Sequence, residues 1–314
     1  LVNKALAKNS IYGITDDMEL DWSTPAAYLD RLEAAKPAIN VLTLVPNGQL
    51  RQATVGLAER PATGDERKQM CRHLEEALDA GAFGLSTGLE YPIEMGASAG
   101  EIAALLEPIA RRGLLYATHT RKRDLGALGA VEEALTAARR AGVRLQISHL
   151  LPRGGRADCE ASVELVQRAR DGGQDVAFDM HTRDFSLTFL HAMLPPWAMA
   201  GGRLYENLQD PAQREHIRAA VTRPDGRWEA MVSQHGEDGV MPIGFQQAEN
   251  QQYVGRKLSE ICRMRGQHWF DAVCDLVLSE RQSISTIYFS MTEDNLRLQL
   301  QQPWIKVSTD AGGY

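Results

Sequence analysis

Basic tracts, paired cysteines and long apolar runs are all missing from this chain of 314 residues. Lys and Arg number 34 against 41 Asp and Glu, a formal charge of −7. Without a basic stripe to follow a phosphate backbone, nucleic acid is not an expected partner. The four cysteines, Cys71, Cys159, Cys262 and Cys274, show no CxxC spacing. That argues against a zinc ribbon or a disulfide framework and leaves reduced, mostly buried thiols. No stretch approaches the ~18 apolar residues needed to cross a bilayer, and the opening LVNKALAKNS lacks an apolar leader core. A membrane is therefore not expected, and a cytoplasmic location is. The glycine-bearing stretches GLSTGLEYP and PRGGRAD fit neither GxGxxG nor GxxxxGK[ST], which removes nucleotide binding from the expectations.

What is present is a globular composition, 44% hydrophobic and 24% charged, long enough to bury a large core. Short β-branched runs alternate with helix-period segments, the pattern of a parallel sheet with crossover helices. Strands are expected near 40–45, 82–87, 114–120, 143–150, 175–181, 285–290 and 304–310. Between them lie helices near 65–80, 98–112, 127–141 and 158–171, with a polar turn at Asn47-Gly48 and Gly142 as a helix-closing residue. Residues 184–284 break the rhythm with Pro195-Pro196, several Trp and two helical patterns. They read as a helical excursion or lid within the barrel, with an independent small domain as the alternative. The expected architecture is an α/β, (β/α)8 TIM barrel spanning 1–314. With six or seven strands counted against eight needed, it lacks its first strand or strands. Residue 1 is Leu rather than Met, and the chain stops on VSTDAGGY directly after a strand-like run; both features read as truncation.

Chemistry-bearing residues gather where a parallel barrel places its active site, at the carboxyl ends of strands. His119 closes LYATHT, His149 closes LQISHL one strand-helix unit later, and Asp310 ends KVSTD. Neutral imidazoles suit zinc, and a neighbouring carboxylate can accept a proton from water and deliver it to a leaving amine. Any one of these residues alone would more often be structural; three in one register point to a metal site. His181 ends FDMH with Asp179 two residues earlier on the same face and Arg183 two residues later, a substrate-contact candidate set against a packed ring. His73, His191, His216, His235 and His268 fall in helices or in the excursion, where packing or solvent roles are the simpler reading.

The blocks NVLTLV-PNGQLR, AGAFGLSTGLEYP, YATHTR, GVRLQISHL, FDMHTRD, VGRKLSEI and MTEDNLRLQLQQPWIKVSTDAG, in this order from about Trp22 to Ala311, resemble the N-acyl-D-amino-acid deacylases, or D-aminoacylases. The resemblance implies a metal-dependent amidohydrolase barrel that cleaves a small-molecule amide with metal-activated water and carries one or two Zn2+ ions. It further implies that His119 and His149 bind the tightly held zinc together with a cysteine. Asp310 is then the general base, beside a second, weaker metal position. Departures from the family pattern are specific. No His-x-His pair occurs, none of the four cysteines falls in a matching block, and Asn47 stands where the family has a histidine. Leu151 and His181 replace the lysine and tyrosine that grip the substrate carboxylate, leaving Arg121, Arg183 or a protonated His181 as substitute donors. A cyclic-amide hydrolase and a non-catalytic binding barrel are the competing readings. Oligomeric state is not legible.

Overall fold

The structure is a computed structural model. It describes residues 22–310 except 57, 125, 151–154, 224–227, 229–230 and 282–283. The opening LVNKALAKNS, Leu151, the first part of PRGGRAD and the closing AGGY lie outside the described residues. The chain divides into two compact units, one of residues 22–182 with 297–310 and the other of 183–296.

In the first unit, strand and helix alternate as the pattern requires. Strand β1 is Leu44–Pro46, β2 Gly84–Gly88, β3 Leu115–His119, β4 Arg144–Ile147 and β5 Val176–Met180. Helix α1 covers Pro25–Ala34, α2 Asn47–Thr54, α3 Gly64–Asp79, α4 Pro92–Met95, α5 Ala99–Arg111, α6 Ala127–Ala141 and α7 Arg156–Asp171. The chain returns to this sheet as Ile305–Val307, the last strand of the described chain. All six strands pair in parallel, and the first five neighbour one another in sequence order. That consecutive winding brings every carboxyl end to one side of the sheet.

Local chemistry explains the elements. Helix α3 starts on a capping box in which the Thr63 hydroxyl accepts from the Glu66 N–H and the Glu66 carboxylate accepts from the Thr63 N–H. Helix α6 ends on Gly142 at φ +70°, the left-handed closure expected of it. Helix α5 buries Ile102, Leu105, Leu106 and Ile109, the i, i+3, i+4, i+7 stripe of a one-sided helix. These side chains join Met70 and Leu74 of α3, Leu85 of β2, Leu145 and Ile147 of β4, and Phe178 of β5 in a single core. Gly84 is required by a close approach: a Cβ there would sit 2.0 Å from the Leu115 carbonyl oxygen of the next strand. The ion pair between Arg51 and Glu101 is wholly buried. Arg51 donates to Glu101 at 2.6 Å and to the Ile93 and Arg60 carbonyls at 2.6 and 2.7 Å, while Glu101 also accepts from the Ala62 N–H at 2.9 Å.

Two expectations are corrected in detail. Asn47-Gly48 is not a turn; α2 begins there directly after β1, because Pro46 sets an extended cap and Leu50 and Arg51 supply a buried face. Residues 285–290 do not join the parallel sheet. Their strand, Ser285–Tyr288, is the middle member of a three-stranded antiparallel sheet in the second unit, between Ser186–Phe189 and Val240–Pro242. Numbered in chain order, these are β6 (Ser186–Phe189), β7 (Val240–Pro242) and β8 (Ser285–Tyr288), which makes Ile305–Val307 β9. The second unit has its own core, including Leu190, Ile217, Leu258, Ile261, Phe270, Val273 and Tyr288. Among the described residues no helix is long and apolar enough to cross a membrane.

Candidate active site

His119 is the last residue of β3, and His149 stands two residues beyond β4. The Ser148 N–H continues the sheet by donating to the Thr118 carbonyl at 2.9 Å, which carries β4 up beside β3 before the chain turns. The result is an imidazole pair: His119 Nδ1 lies 3.1 Å from His149 Nε2, and the rings meet edge to face at 4.6 Å between centroids. Both residues are buried, at 7% and 9% exposure.

The backbone at this rim is under tension. His149 adopts φ +33° and Asp310 φ +50°, two of the four described non-glycine residues in the left-handed region. Such conformations cost on the order of 1–3 kcal/mol and persist only where neighbours enforce them. At His149 the neighbour is Asp179 of β5. One of its carboxylate oxygens accepts from the His149 N–H at 2.9 Å and from the Ser308 hydroxyl at 2.7 Å; the other accepts from the Gln146 amide at 2.7 Å. A single carboxylate thus ties His149 to Ser308, the residue that directly follows β9.

Asp310 is exposed and lies three residues past β9. Its carboxylate is near enough to His149 to favour the charged ring. Burial outweighs it, and with the neighbouring His119 and the Arg123 guanidinium it holds the His149 ring well below the usual imidazole range. His149 is therefore neutral at ordinary pH, as a metal ligand must be. Its Nδ1 is buried without a hydrogen-bond partner.

The rest of the His119 ring is clasped from the loop after β2. Its Nε2 contacts the Glu90 carboxylate, and Arg123 grips the same oxygen at 2.6 and 3.1 Å. The Tyr91 ring packs 4.8 Å from the imidazole. The sequence pattern did not single out Glu90, Tyr91 or Arg123. The available signal was position alone, since each lies within a few residues of a strand's carboxyl end.

The remaining expected residues divide. His181 follows β5 directly and is 2% exposed, so it ends the neighbouring strand on the same side of the sheet. Arg121 does not join the group. Its guanidinium is committed to Glu133 at 2.9–3.2 Å and to the Met95 and Ala97 carbonyls at 3.0 Å each, which explains its presence by packing. Arg183 belongs to the second unit, where it lies over the Phe185 ring.

Four of the five other histidines have the following structural settings. His268 caps a helix by accepting from the Phe270 N–H, His216 stacks on Trp197, His191 stacks on Phe189, and His73 pairs with Glu76. None of the four cysteines is in a disulfide, and burial raises every one of their thiols, those of Cys262 and Cys274 to about 12. None is a poised thiolate.

Two tetrahedral zinc ligands at ~2.0–2.1 Å from the ion lie roughly 3.3 Å from each other. The 3.1 Å between His119 Nδ1 and His149 Nε2 is close to that separation. The pair therefore fits half of a zinc ligand set. Among the described residues no group of three or more His, Cys, Asp or Glu is arranged to hold a metal ion.

No family model matches the chain. It is 30% identical over 290 residues to an N-acyl-D-glutamate deacylase of Alcaligenes xylosoxydans xylosoxydans, covering 91% of this chain and 49% of that protein. It is 34% identical over 160 residues to a D-aminoacylase of the same organism, covering 50% of this chain and 32% of the relative. Among solved structures, the N-acyl-D-glutamate deacylase of Bordetella bronchiseptica, complexed with zinc and a phosphonate inhibitor, superposes with a TM-score of 0.70 at 27% identity. That match covers 94% of this chain and 52% of the other. The chain spans about half the length, or less, of the curated relatives it matches. These likenesses in sequence and fold support the N-acyl-D-amino-acid deacylases, or D-aminoacylases, of the amidohydrolases as the chain's family.

Proposed function

We propose that the whole protein hydrolyses the amide bond of N-acyl-D-amino acids with zinc as its cofactor, and that the six parallel strands form part of a (β/α)8 barrel. The observation that carries this reading is the His119–His149 nitrogen pair at 3.1 Å, on adjacent strand ends within electrostatic reach of Asp310. His119 and His149 hold the ion, and their burial excludes competing water. When bound, zinc supplies Lewis-acid polarisation of the scissile carbonyl and activation of a water. Asp310 takes a proton from the attacking water and returns it to the departing amine; its exposure lets it reach both. One or two ions are consistent with this set, given that a solved D-aminoacylase is described as having a binuclear metal centre.

The substrate carboxylate has a changed grip. His181, buried at the end of β5 on the carboxyl side of the parallel sheet, is the candidate donor. Arg121 is withdrawn because its donors are already occupied. The replacement of two family residues by Leu151 and His181 keeps a cyclic amide as the alternative substrate. The deciding assay offers the zinc-loaded whole protein N-acetyl-D-glutamate, its L-enantiomer and a hydantoin. Release of D-glutamate that stops on chelation and returns with zinc is expected. Hydantoin cleavage with no D-glutamate release refutes the deacylase reading.

A further inference from the structure

The zinc reading leaves one feature unused: an acidic residue locked onto the outer nitrogen of the first histidine. A neutral imidazole has one donor and one acceptor nitrogen, and a carboxylate only accepts. In the neutral ring, contact between the Glu90 carboxylate and His119 Nε2 therefore makes Nε2 the protonated nitrogen and Nδ1 the one that carries the lone pair. Nδ1 is the nitrogen that faces His149 Nε2 at 3.1 Å.

Glu90 is itself fixed. Arg123 donates to its Oε2 through both Nη2 and Nε, and the three side chains are 8%, 17% and 13% exposed for His119, Glu90 and Arg123. The Tyr91 ring lies beside the imidazole, tilted 46° to it at 4.8 Å between centroids. The ring is thus held in rotation as well as in tautomer, by groups from the loops after β2 and β3. Carboxylates behind a ligating histidine orient the ring and raise its basicity, and their loss typically costs 10–100-fold in metal affinity.

We propose that Glu90, anchored by Arg123, is a positioning residue that presents His119 Nδ1 to the metal. The inference rests on the zinc reading above, but its test includes a measurement that needs no metal. In the whole protein, Glu90→Ala and Glu90→Gln are compared with wild type and with His149→Ala. Zinc dissociation constants come from chelator competition, and the His119 tautomer comes from ring 15N shifts in the metal-free protein labelled at histidine.

In wild type, His119 is expected as the Nε2–H tautomer. Glu90→Ala moves it toward a tautomer mixture and weakens zinc binding 10–100-fold. Glu90→Gln, whose amide oxygen still accepts from Nε2–H, keeps the tautomer and recovers most of the affinity. An unchanged tautomer and affinity in Glu90→Ala overturns the role of Glu90 while leaving the zinc site standing. Zinc binding that survives His149→Ala undiminished overturns the site itself and this inference with it. If Glu90→Ala does not fold, Arg123→Met provides the second variant, with the same shift in tautomer expected on loss of the anchor.

Discussion

Replacing Asp179 by Ala should loosen the rim of the parallel sheet and harm metal binding more than stability. The side chain accepts three hydrogen bonds, from the His149 N–H, the Ser308 hydroxyl and the Gln146 amide. Bonds to a charged acceptor contribute about 1.5–3 kcal/mol each. Ser308 and Gln146 can turn toward water in the variant, whereas the His149 N–H belongs to a buried residue and loses its partner outright. Against that loss stands relaxation of the left-handed His149 backbone, on the order of 1 kcal/mol. The net cost to folding is then about 2 kcal/mol. The cost to zinc binding is larger in effect, because once His149 is free to relax its Nε2 leaves the position 3.1 Å from His119 Nδ1. A 10–100-fold rise in the zinc dissociation constant is the expected scale. Asp179→Asn is the control: its amide oxygen can still serve His149 and Ser308, and its nitrogen can meet a flipped Gln146, so both losses should shrink severalfold. Thermal unfolding by circular dichroism and chelator competition on the same preparations read the two quantities. Unchanged zinc affinity in Asp179→Ala, whatever its melting temperature, refutes the claim that this carboxylate sets the site.

Three further outcomes are expected. Arg51→Met leaves Glu101 charged and uncompensated in the core, costing about 3–5 kcal/mol. Neutralising both partners, Arg51→Met with Glu101→Gln, should recover a large part of that in denaturant titrations; equal costs for the single and double variants would contradict the coupling. Burial holds the His191 ring at about 4 against an ordinary value of 6.5. The unfolded chain therefore takes up this proton first as pH falls: the contribution is complete above about 6.5 and is lost between there and about 4, amounting to at most about 3 kcal/mol. His191→Phe should flatten that segment of the stability–pH curve, and an unaltered slope would show that the acid sensitivity lies elsewhere. Finally, Gly84→Ala should be severely destabilising, since its Cβ meets the Leu115 carbonyl at 2.0 Å with no flexible side chain to give way; soluble yield and melting temperature near wild type would argue against so close a strand approach.

The sequence was most informative where one physical rule decides the outcome. Alternating apolar runs and one-sided helices revealed the parallel unit, and the helix-closing Gly142 was readable because a left-handed residue there favours glycine. The neighbouring positions of His119 and His149 were readable because strand ends in a parallel sheet share one side. What escaped depends on partners distant in sequence. The direction and neighbours of 285–288 could not be read from a four-residue alternation that suits either kind of sheet. Arg121 looked free because Glu133 lies twelve residues away on a helix whose facing side was not known. Glu90 and Arg123 sit in irregular loops where charge has no periodicity to mark it, and their meaning appears only when β2 and β3 are placed side by side.

The twisted backbone at Asp310 carries a lesson for engineering. An exposed aspartate at φ +50° contributes little to packing and occupies a conformation that Gly or Asn adopts more readily. A library screened for heat resistance alone would accumulate those two residues at position 310 and discard the proposed proton acceptor along the way. Thermostabilisation of this protein should therefore hold that codon fixed, or couple every round of selection to turnover.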